Sequence, residues 1–160
     1  MKFSQIKETN NIRIIALLLC LILILCREFY LILYPRLWAE EGNIFLSFAY
    51  KSSFKEIFTT VHVGYFTLFN SIVSFLQAKV FAIEFAPLIS TIFGLVVQLT
   101  PVIIIIYSSY FLWDNVIKKT LCLLIVIFII PPELYLNTTN SHFIFGLCCF
   151  LIALISTSEL

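Results

Sequence analysis

Two adjacent carboxylates, Glu40 and Glu41, stand in the stretch YPRLWAEEGNIFLSFAYKSSF between long apolar runs. A carboxylate within hydrogen-bond reach of a hydroxyl can act as a general base, and carboxylates are hard oxygen ligands for Mg²⁺ or Mn²⁺. A plainer role is also open, because both acids fall in the first turn of a predicted helix, where negative charge is favoured. Successive residues of a helix diverge by about 100°, so the two acids are expected to have different roles.

Arg27 and Glu28 are a second polar pair, and they fall inside the first apolar run. Charges at membrane depth are costly and often mark functional sites. The pair either points into a cavity near the outer surface, or Arg27 reaches the headgroups while Glu28 pairs with a neighbour. The five cysteines lie in apolar runs without metal-ligand spacing, and we interpret them as packing residues.

Composition indicates the class of protein. The 160 residues are 61% hydrophobic and 12% charged, whereas soluble domains are roughly 25% charged. A soluble domain of this length could not hide so much apolar side chain from water. The sequence therefore predicts a protein whose partner is the lipid bilayer. The net charge of +1 gives no electrostatic reason to expect nucleic acid.

The chain is predicted to be all-α, a polytopic membrane protein of four or five spans that form a single domain over residues 1–160. A basic cytoplasmic head over residues 1–13 precedes a first span over 14–34, as the positive-inside rule requires. Residues 35–62 form an outer loop, and residues 63–160 hold the remaining spans. The apolar runs predict them at Val63–Phe81, Pro87–Trp113, Thr120–Ile130 and Phe143–Ile155.

The outer loop carries an amphipathic pattern. Polar residues recur at steps of three and four from Glu40 to Lys55, and Phe residues largely fill the other side. This pattern predicts an interfacial helix, with Trp38 and Tyr50 at headgroup level.

Two topology rules disagree beyond this loop. If every apolar run crosses, Lys118 and Lys119 lie outside, although the positive-inside rule places them in the cytoplasm. The second arrangement returns the segment NTTNSH to the face that carries Glu40 and Glu41, and it requires one run to be re-entrant or interfacial. Both arrangements stay open.

Several short motifs occur in a fixed order: PRLWAEEGNIFLSFA, GYFTLFNSIVSFL, IEFAPL and LNTTNSHF. Together they resemble the N-terminal part of bacterial integral-membrane proteins of the GT-C glycosyltransferase superfamily. The matching positions are Trp38, Glu40, Glu41, Gly42, Gly64, Tyr65, Asn137, Thr139, Asn140, His142 and Phe143. Relatives of this kind have many more spans, so the chain is expected to correspond to the front end of such a protein.

The resemblance implies a transferase that takes a sugar from a polyprenyl phosphate on the non-cytoplasmic side of the membrane. A carboxylate would deprotonate the acceptor hydroxyl. Glu41 is the preferred base because it adjoins Gly42, and Glu40 would bind Mg²⁺ or Mn²⁺ or hold the loop. The substrate-binding candidates are Trp38, Tyr65, Asn137, Asn140, His142 and Arg27.

The predicted function is therefore a GT-C-like membrane glycosyltransferase, or a fragment of one, in surface polysaccharide or glycolipid assembly. Its expected location is the bacterial inner membrane, with a membrane-protein partner as a possible source of missing spans. The alternative is a non-catalytic scaffold or accessory subunit whose polar loop binds a partner chain. A small transporter fits less well, because the charges lie at span ends rather than along a midplane path.

Overall fold

The computed structural model describes residues 10–62, 64, 67–108, 110, 115–131 and 135–157. Every regular element within these ranges is helical, so the all-α prediction is confirmed. The α-helices are α1 (Asn10–Arg27), α2 (Phe29–Leu33), α3 (Ser47–Lys51), α4 (Phe54–Thr59), α5 (Leu68–Phe75), α6 (Ala86–Tyr107), α7 (Val116–Phe128) and α8 (Ser141–Thr157). π-helical turns at Glu41–Leu46 and Leu76–Val80 adjoin α3 and α5, and a 3₁₀ turn at Ile83–Phe85 leads into α6.

The predicted first span is divided into two helices. α1 ends at Arg27, and Glu28 has non-helical backbone angles of φ −129° and ψ 51° before α2 begins. Arg27 donates hydrogen bonds to the carbonyl oxygens of Ile127 and Ile130 at the end of α7. These carbonyls have no partner within their own helix, and the guanidinium satisfies them. The break at Glu28 therefore directly follows Arg27, whose side chain joins α1 to the end of α7.

The outer loop is helical and amphipathic, as its sequence pattern predicts, but it forms two helical stretches. Residues 39–51 are helical without interruption, and α4 begins after Ser53. Ser53 and Glu56 form a reciprocal capping box, which starts the new helix. The hydrogen bonds from the backbone and side chain of Ser53 lower the pKa of Glu56.

His62, at the C-terminal end of this loop, packs back against its first helical stretch. Its ring packs edge-on against Phe45 and Phe48, with ring centroids 5.3 and 4.6 Å apart. Burial lowers the pKa of His62, because a charged imidazole loses solvation among these rings.

The predicted second span, Val63–Phe81, does not run the length of the bundle. Its helical part is α5 with the π-helical turn that follows, and it lies across one end of the molecule. Near its start, Asn70 contacts Thr139 and Ser141. Near its end, Gln77 donates to the carbonyl oxygen of Ala86 at 2.7 Å. Both contacts belong to the end of the bundle that carries Glu41, which we call the site end.

The long helices α1, α6, α7 and α8 surround one apolar core, and α6 contacts each of the other three. They alternate in direction. At the site end lie Arg27 of α1, the start of α6, the end of α7 and the start of α8. At the opposite end, the Arg13 guanidinium lies over the Tyr107 ring, and Lys119 Nζ lies 3.4 Å from the carbonyl oxygen of Ile106.

Two helices in the described ranges are long and apolar enough to cross a membrane. They are Asn10–Arg27 and the continuous helical stretch Ile83–Tyr107, and α8 is similarly apolar but shorter. The outward side of α1 exposes isoleucine and leucine along most of its length, and α7 does the same. The molecule thus has apolar surfaces of the kind that lipid accepts.

Candidate functional site

Glu41 is the centre of a buried hydrogen-bond network. Only 3% of its surface is exposed. Its Oε1 accepts hydrogen bonds from Ser90 Oγ at 2.6 Å, Thr138 N at 2.6 Å and Thr138 Oγ1 at 2.7 Å. Its Oε2 accepts from the backbone N–H of Trp38 at 3.1 Å. A buried carboxylate needs such donors to replace water, and here they come from three separate parts of the chain.

The position of Glu41 follows from the start of its helix. The N–H of Gly42 donates to the carbonyl oxygen of Trp38 at 3.0 Å, which makes Trp38 the residue before the first helical turn. The side chain of Glu41, three residues later, accepts a hydrogen bond from the N–H of Trp38, which has no partner within the helix. This is the glutamate half of a capping box. The capping role that the sequence left open is therefore present at Glu41, together with longer-range contacts that capping does not require.

The Thr138 donors reach Glu41 because the backbone before them presses against α6. A Cβ placed on Gly94 would lie 2.4 Å from the carbonyl carbon of Leu136 and 2.6 Å from the nitrogen of Asn137. Only glycine permits this approach. Leu136 itself has φ 49°, an uncommon angle for a residue with a side chain. Gly94 is one turn after Ser90, so one face of α6 supplies both a donor and the space for the segment.

The segment Tyr135–Asn140 is almost wholly buried in protein. Asn137 folds it locally, because its Oδ1 accepts from the N–H of Asn140 at 3.2 Å. Asn70 of α5 holds it from the other side, with Nδ2 3.5 Å from the carbonyl oxygen of Thr139. Asn137 and Asn70 therefore shape the segment.

An open cleft of about 240 Å³ lies where the acid-pair loop meets the segment Tyr135–Asn140. It is lined by Trp38, Ala39, Glu40, Thr139 and Asn140. Glu40 is exposed here, whereas Glu41 is buried. The two acids therefore have different surroundings: Glu41 binds the protein and Glu40 borders the cleft.

Three of the predicted substrate-binding residues thus lie at or beside this cleft: Trp38 and Asn140 line it, and Asn137 supports it from beneath. His142 is exposed with its ring centroid 4.1 Å from that of Phe143, and it is not part of the lining. Arg27 is bound to α7 carbonyls and lies 4.5 Å from the Tyr135 ring centroid, so the structure gives it a structural role. Tyr65 lies outside the described residues.

The sequence prediction did not include Ser90, Gly94 and Thr138. Ser90 and Gly94 are spaced by four residues in an apolar helix, which places two small residues on one face. That spacing was the available signal for a close approach, but nothing in the sequence indicates which segment approaches. Thr138 lies inside the NTTNSH motif, although the resemblance drew attention only to its neighbours.

Within the described ranges, no group of three or more His, Cys, Asp or Glu side chains is arranged to hold a metal ion. Both oxygens of Glu41 already accept hydrogen bonds, which leaves Glu40 as the acid at the cleft.

We compared the chain with protein-family models, curated proteins and solved structures, and nothing matched. The proposed function is therefore based on the geometry of the cleft.

Proposed function

We propose that the chain is a GT-C-like membrane glycosyltransferase, or the N-terminal part of one. It would take a sugar from a polyprenyl phosphate and serve in the assembly of a surface polysaccharide or glycolipid. The bacterial inner membrane is its proposed location.

One observation carries this proposal. The buried Glu41 joins the acid-pair loop to the NTTNSH segment, although Glu41 and Thr138 are 97 residues apart. Residues of both motifs consequently line one cleft. A mere amphipathic loop on the bilayer requires no such connection.

In the proposed reaction, Glu40 is the base. A general base needs a lone pair within reach of the proton that it removes, and both Glu41 oxygens are occupied by protein donors. Glu40 would take the proton of the acceptor hydroxyl as that oxygen bonds to the anomeric carbon. The bond from the anomeric carbon to the phosphate oxygen breaks, and polyprenyl phosphate leaves. This reverses the roles that the sequence suggested for the two acids.

A role for Mg²⁺ or Mn²⁺ at Glu40 stays a prediction from the resemblance. We assign no step to a metal, because the lining residues offer one carboxylate.

The proposed topology has four crossing helices, α1, α6, α7 and α8, with α5 lying at the outer face. This arrangement puts Arg13, Lys118 and Lys119 at the cytoplasmic end, as the positive-inside rule favours. It also puts the cleft on the non-cytoplasmic side. α7 has 13 residues and so spans about 20 Å, less than a typical hydrocarbon core of about 30 Å. We expect Lys118 and Lys119 to reach the headgroups from its start.

The test is sugar transfer from a polyprenyl-phosphate sugar in membranes that contain the wild-type chain or Glu40→Gln. Loss of a general base should lower the rate by roughly 10²- to 10⁴-fold. The matched control is Glu56→Gln, an exposed acid on α4 outside the cleft, which should leave the rate unchanged. Equal rates for wild type and Glu40→Gln would contradict the proposal and favour the non-catalytic scaffold. No transfer by the wild-type chain would point to the N-terminal part of such an enzyme rather than to a working transferase.

A further inference from the structure

We infer that the connection between α5 and α6, residues 80–85, lies in a lipid leaflet, and that Tyr50 and Phe54 of the acid-pair loop share its lipid contact. The partner is phospholipid, with acyl chains against the apolar side chains and headgroups against the lysines beside them. This inference depends neither on sugar transfer nor on which leaflet the site end meets.

The connection is exposed and apolar. Val80, Phe81, Ile83 and Phe85 each expose 47–54% of their surface. A contiguous exposed apolar patch usually marks a surface that contacts a membrane or another protein. Something other than water is therefore expected to cover this connection.

The exposed patch continues along one face of α6. Leu88, Ile92 and Val96 follow Phe85 at steps of three and four residues, and each of them is exposed. Residues at these steps lie on the same face of a helix. Because α6 belongs to a stretch that is long and apolar enough to cross a membrane, lipid is the partner that this face would meet. The connection extends the same surface beyond the start of the helix.

The length of this stretch sets the depth of the connection. Ile83–Tyr107 has 25 residues, which corresponds to a helix of about 38 Å. The hydrocarbon core of a bilayer is about 30 Å thick, and the bilayer with its headgroups is about 40–45 Å thick. A centred helix of this length begins inside the headgroup layer. Residues 80–85 therefore lie at the border between the headgroups and the acyl chains.

Two contacts hold part of the acid-pair loop at the same depth. Lys79 Nζ donates to the carbonyl oxygen of Tyr50 at 3.0 Å. The ring of Phe54 packs against that of Phe75 near the end of α5, with the centroids 5.4 Å apart. Tyr50 and Phe54 are 63% and 65% exposed, so they enlarge the apolar surface beside the connection.

The structure also shows which part of the loop is available to lipid. Helical periodicity places Phe45, Phe48 and Phe54 together on the apolar side. Phe45 is 4% exposed, and both Phe45 and Phe48 pack against His62. These two rings therefore contact protein, whereas Phe54 faces outward beside α5. We infer that the loop meets lipid through its C-terminal part.

The charged residues beside the patch fit the headgroup level. Lys51, Lys79 and Glu84 are exposed here. A lysine can keep its apolar stem among acyl chains while its ammonium reaches the headgroups, and tyrosine is enriched at the same level. A carboxylate is costly deep in hydrocarbon, so Glu84 also favours a shallow position.

The experiment measures which quencher reaches each position of the full chain in phospholipid vesicles. Single cysteines replace Phe54, Phe81, Ile92 or Thr59 in a chain whose native cysteines are changed to alanine, and each carries a fluorophore. The quenchers are a phospholipid with a nitroxide on its acyl chain and iodide present on both sides of the membrane. Ile92 is the lipid reference on α6. Thr59 is the water reference, because it is exposed on the side of α4 opposite the buried Ile57.

Positions 54 and 81 should lose fluorescence to the nitroxide lipid, as position 92 does, and should resist iodide; position 59 should show the reverse. A nitroxide near the headgroup should quench position 81 more than one at the chain end does. Position 92 should show the opposite order, because it lies about 14 Å further along the helix than residue 83. Iodide quenching of positions 54 and 81 at the level of position 59 would overturn the inference. Protection of both positions from both quenchers would also overturn it, because another protein chain would then cover this surface.

Discussion

At the scale of single residues, two neighbouring glutamates have opposite environments. Glu41 is buried with hydrogen bonds on both oxygens, and Glu40 is exposed at the cleft. The sequence indicated that the acids diverge, because the helical turn between neighbours is fixed. It did not indicate which acid turns inward, since that depends on donors from Ser90 and Thr138 far along the chain. The sequence favoured Glu41 as the base because the neighbouring Gly42 would let a substrate approach closely. In the structure, a Cβ at Gly42 would meet Leu37 at an ordinary contact distance, so the position is not crowded.

The stability of the chain should distinguish these two acids. Glu41→Gln puts an amide where the carboxylate accepts from Trp38, Ser90 and Thr138, so at least one donor would face another donor. Loss of a charge-assisted hydrogen bond in a buried site should lower the free energy of unfolding by about 1.5–3 kcal/mol. Glu40→Gln should change it by less than about 0.5 kcal/mol, because the residue is exposed. Denaturant unfolding followed by circular dichroism in micelles would measure both. Equal stability of the two variants would contradict the anchoring role of Glu41.

At the scale of elements, the sequence pattern predicted local features well and long-range ones poorly. The amphipathic loop follows from helical periodicity, and its apolar residue Phe45 is buried while Lys51 and Lys55 are exposed. The division of the first span at Glu28 was missed, because it lies beside a contact of Arg27 with Ile127, 100 residues away, which periodicity does not reveal. The position of α5 was missed for the same reason: its apolar run resembles a span, and contacts of Asn70 and Gln77 place it across the site end.

The packing of the Tyr135–Asn140 segment on α6 should depend on Gly94. Gly94→Ala would put a methyl group within 2.4 Å of the Leu136 backbone. The segment or α6 must shift, at a cost of about 1–3 kcal/mol of unfolding free energy, and the cleft should lose its Thr139 wall. Hydrogen exchange of residues 135–141 would detect the loosened segment.

Gly146→Ala in α8 is the matched control. Nothing lies within 4 Å of a Cβ at this position. Alanine in a helix interior should be neutral or stabilise by up to about 1 kcal/mol. Protection of residues 135–141 that is the same in both variants would show that the close approach to α6 is not needed.

At the scale of the whole molecule, the account depends on which ends of the helices share a face. The two open topologies differed in whether NTTNSH returns to the side of the acid pair. The hydrogen bonds from Thr138 to Glu41 place the NTTNSH segment beside the acid pair. The contact of Lys119 with the end of α6 places that lysine at the opposite end of the bundle. Composition and span counting had left this pairing open, because the positive-inside rule favoured it and the count of apolar runs opposed it.

The most direct test of the account is the sidedness of three residues in the membrane. Single cysteines would replace Ser52, His142 and Lys118 in a chain whose five native cysteines are changed to alanine. A membrane-impermeant maleimide applied to intact cells should label positions 52 and 142, and position 118 should react only after the membrane is opened. This result would place the acid-pair loop and the NTTNSH segment on the outer face, with the cleft between them. Labelling of positions 52 and 142 from opposite sides would contradict the shared site and the function proposed for it.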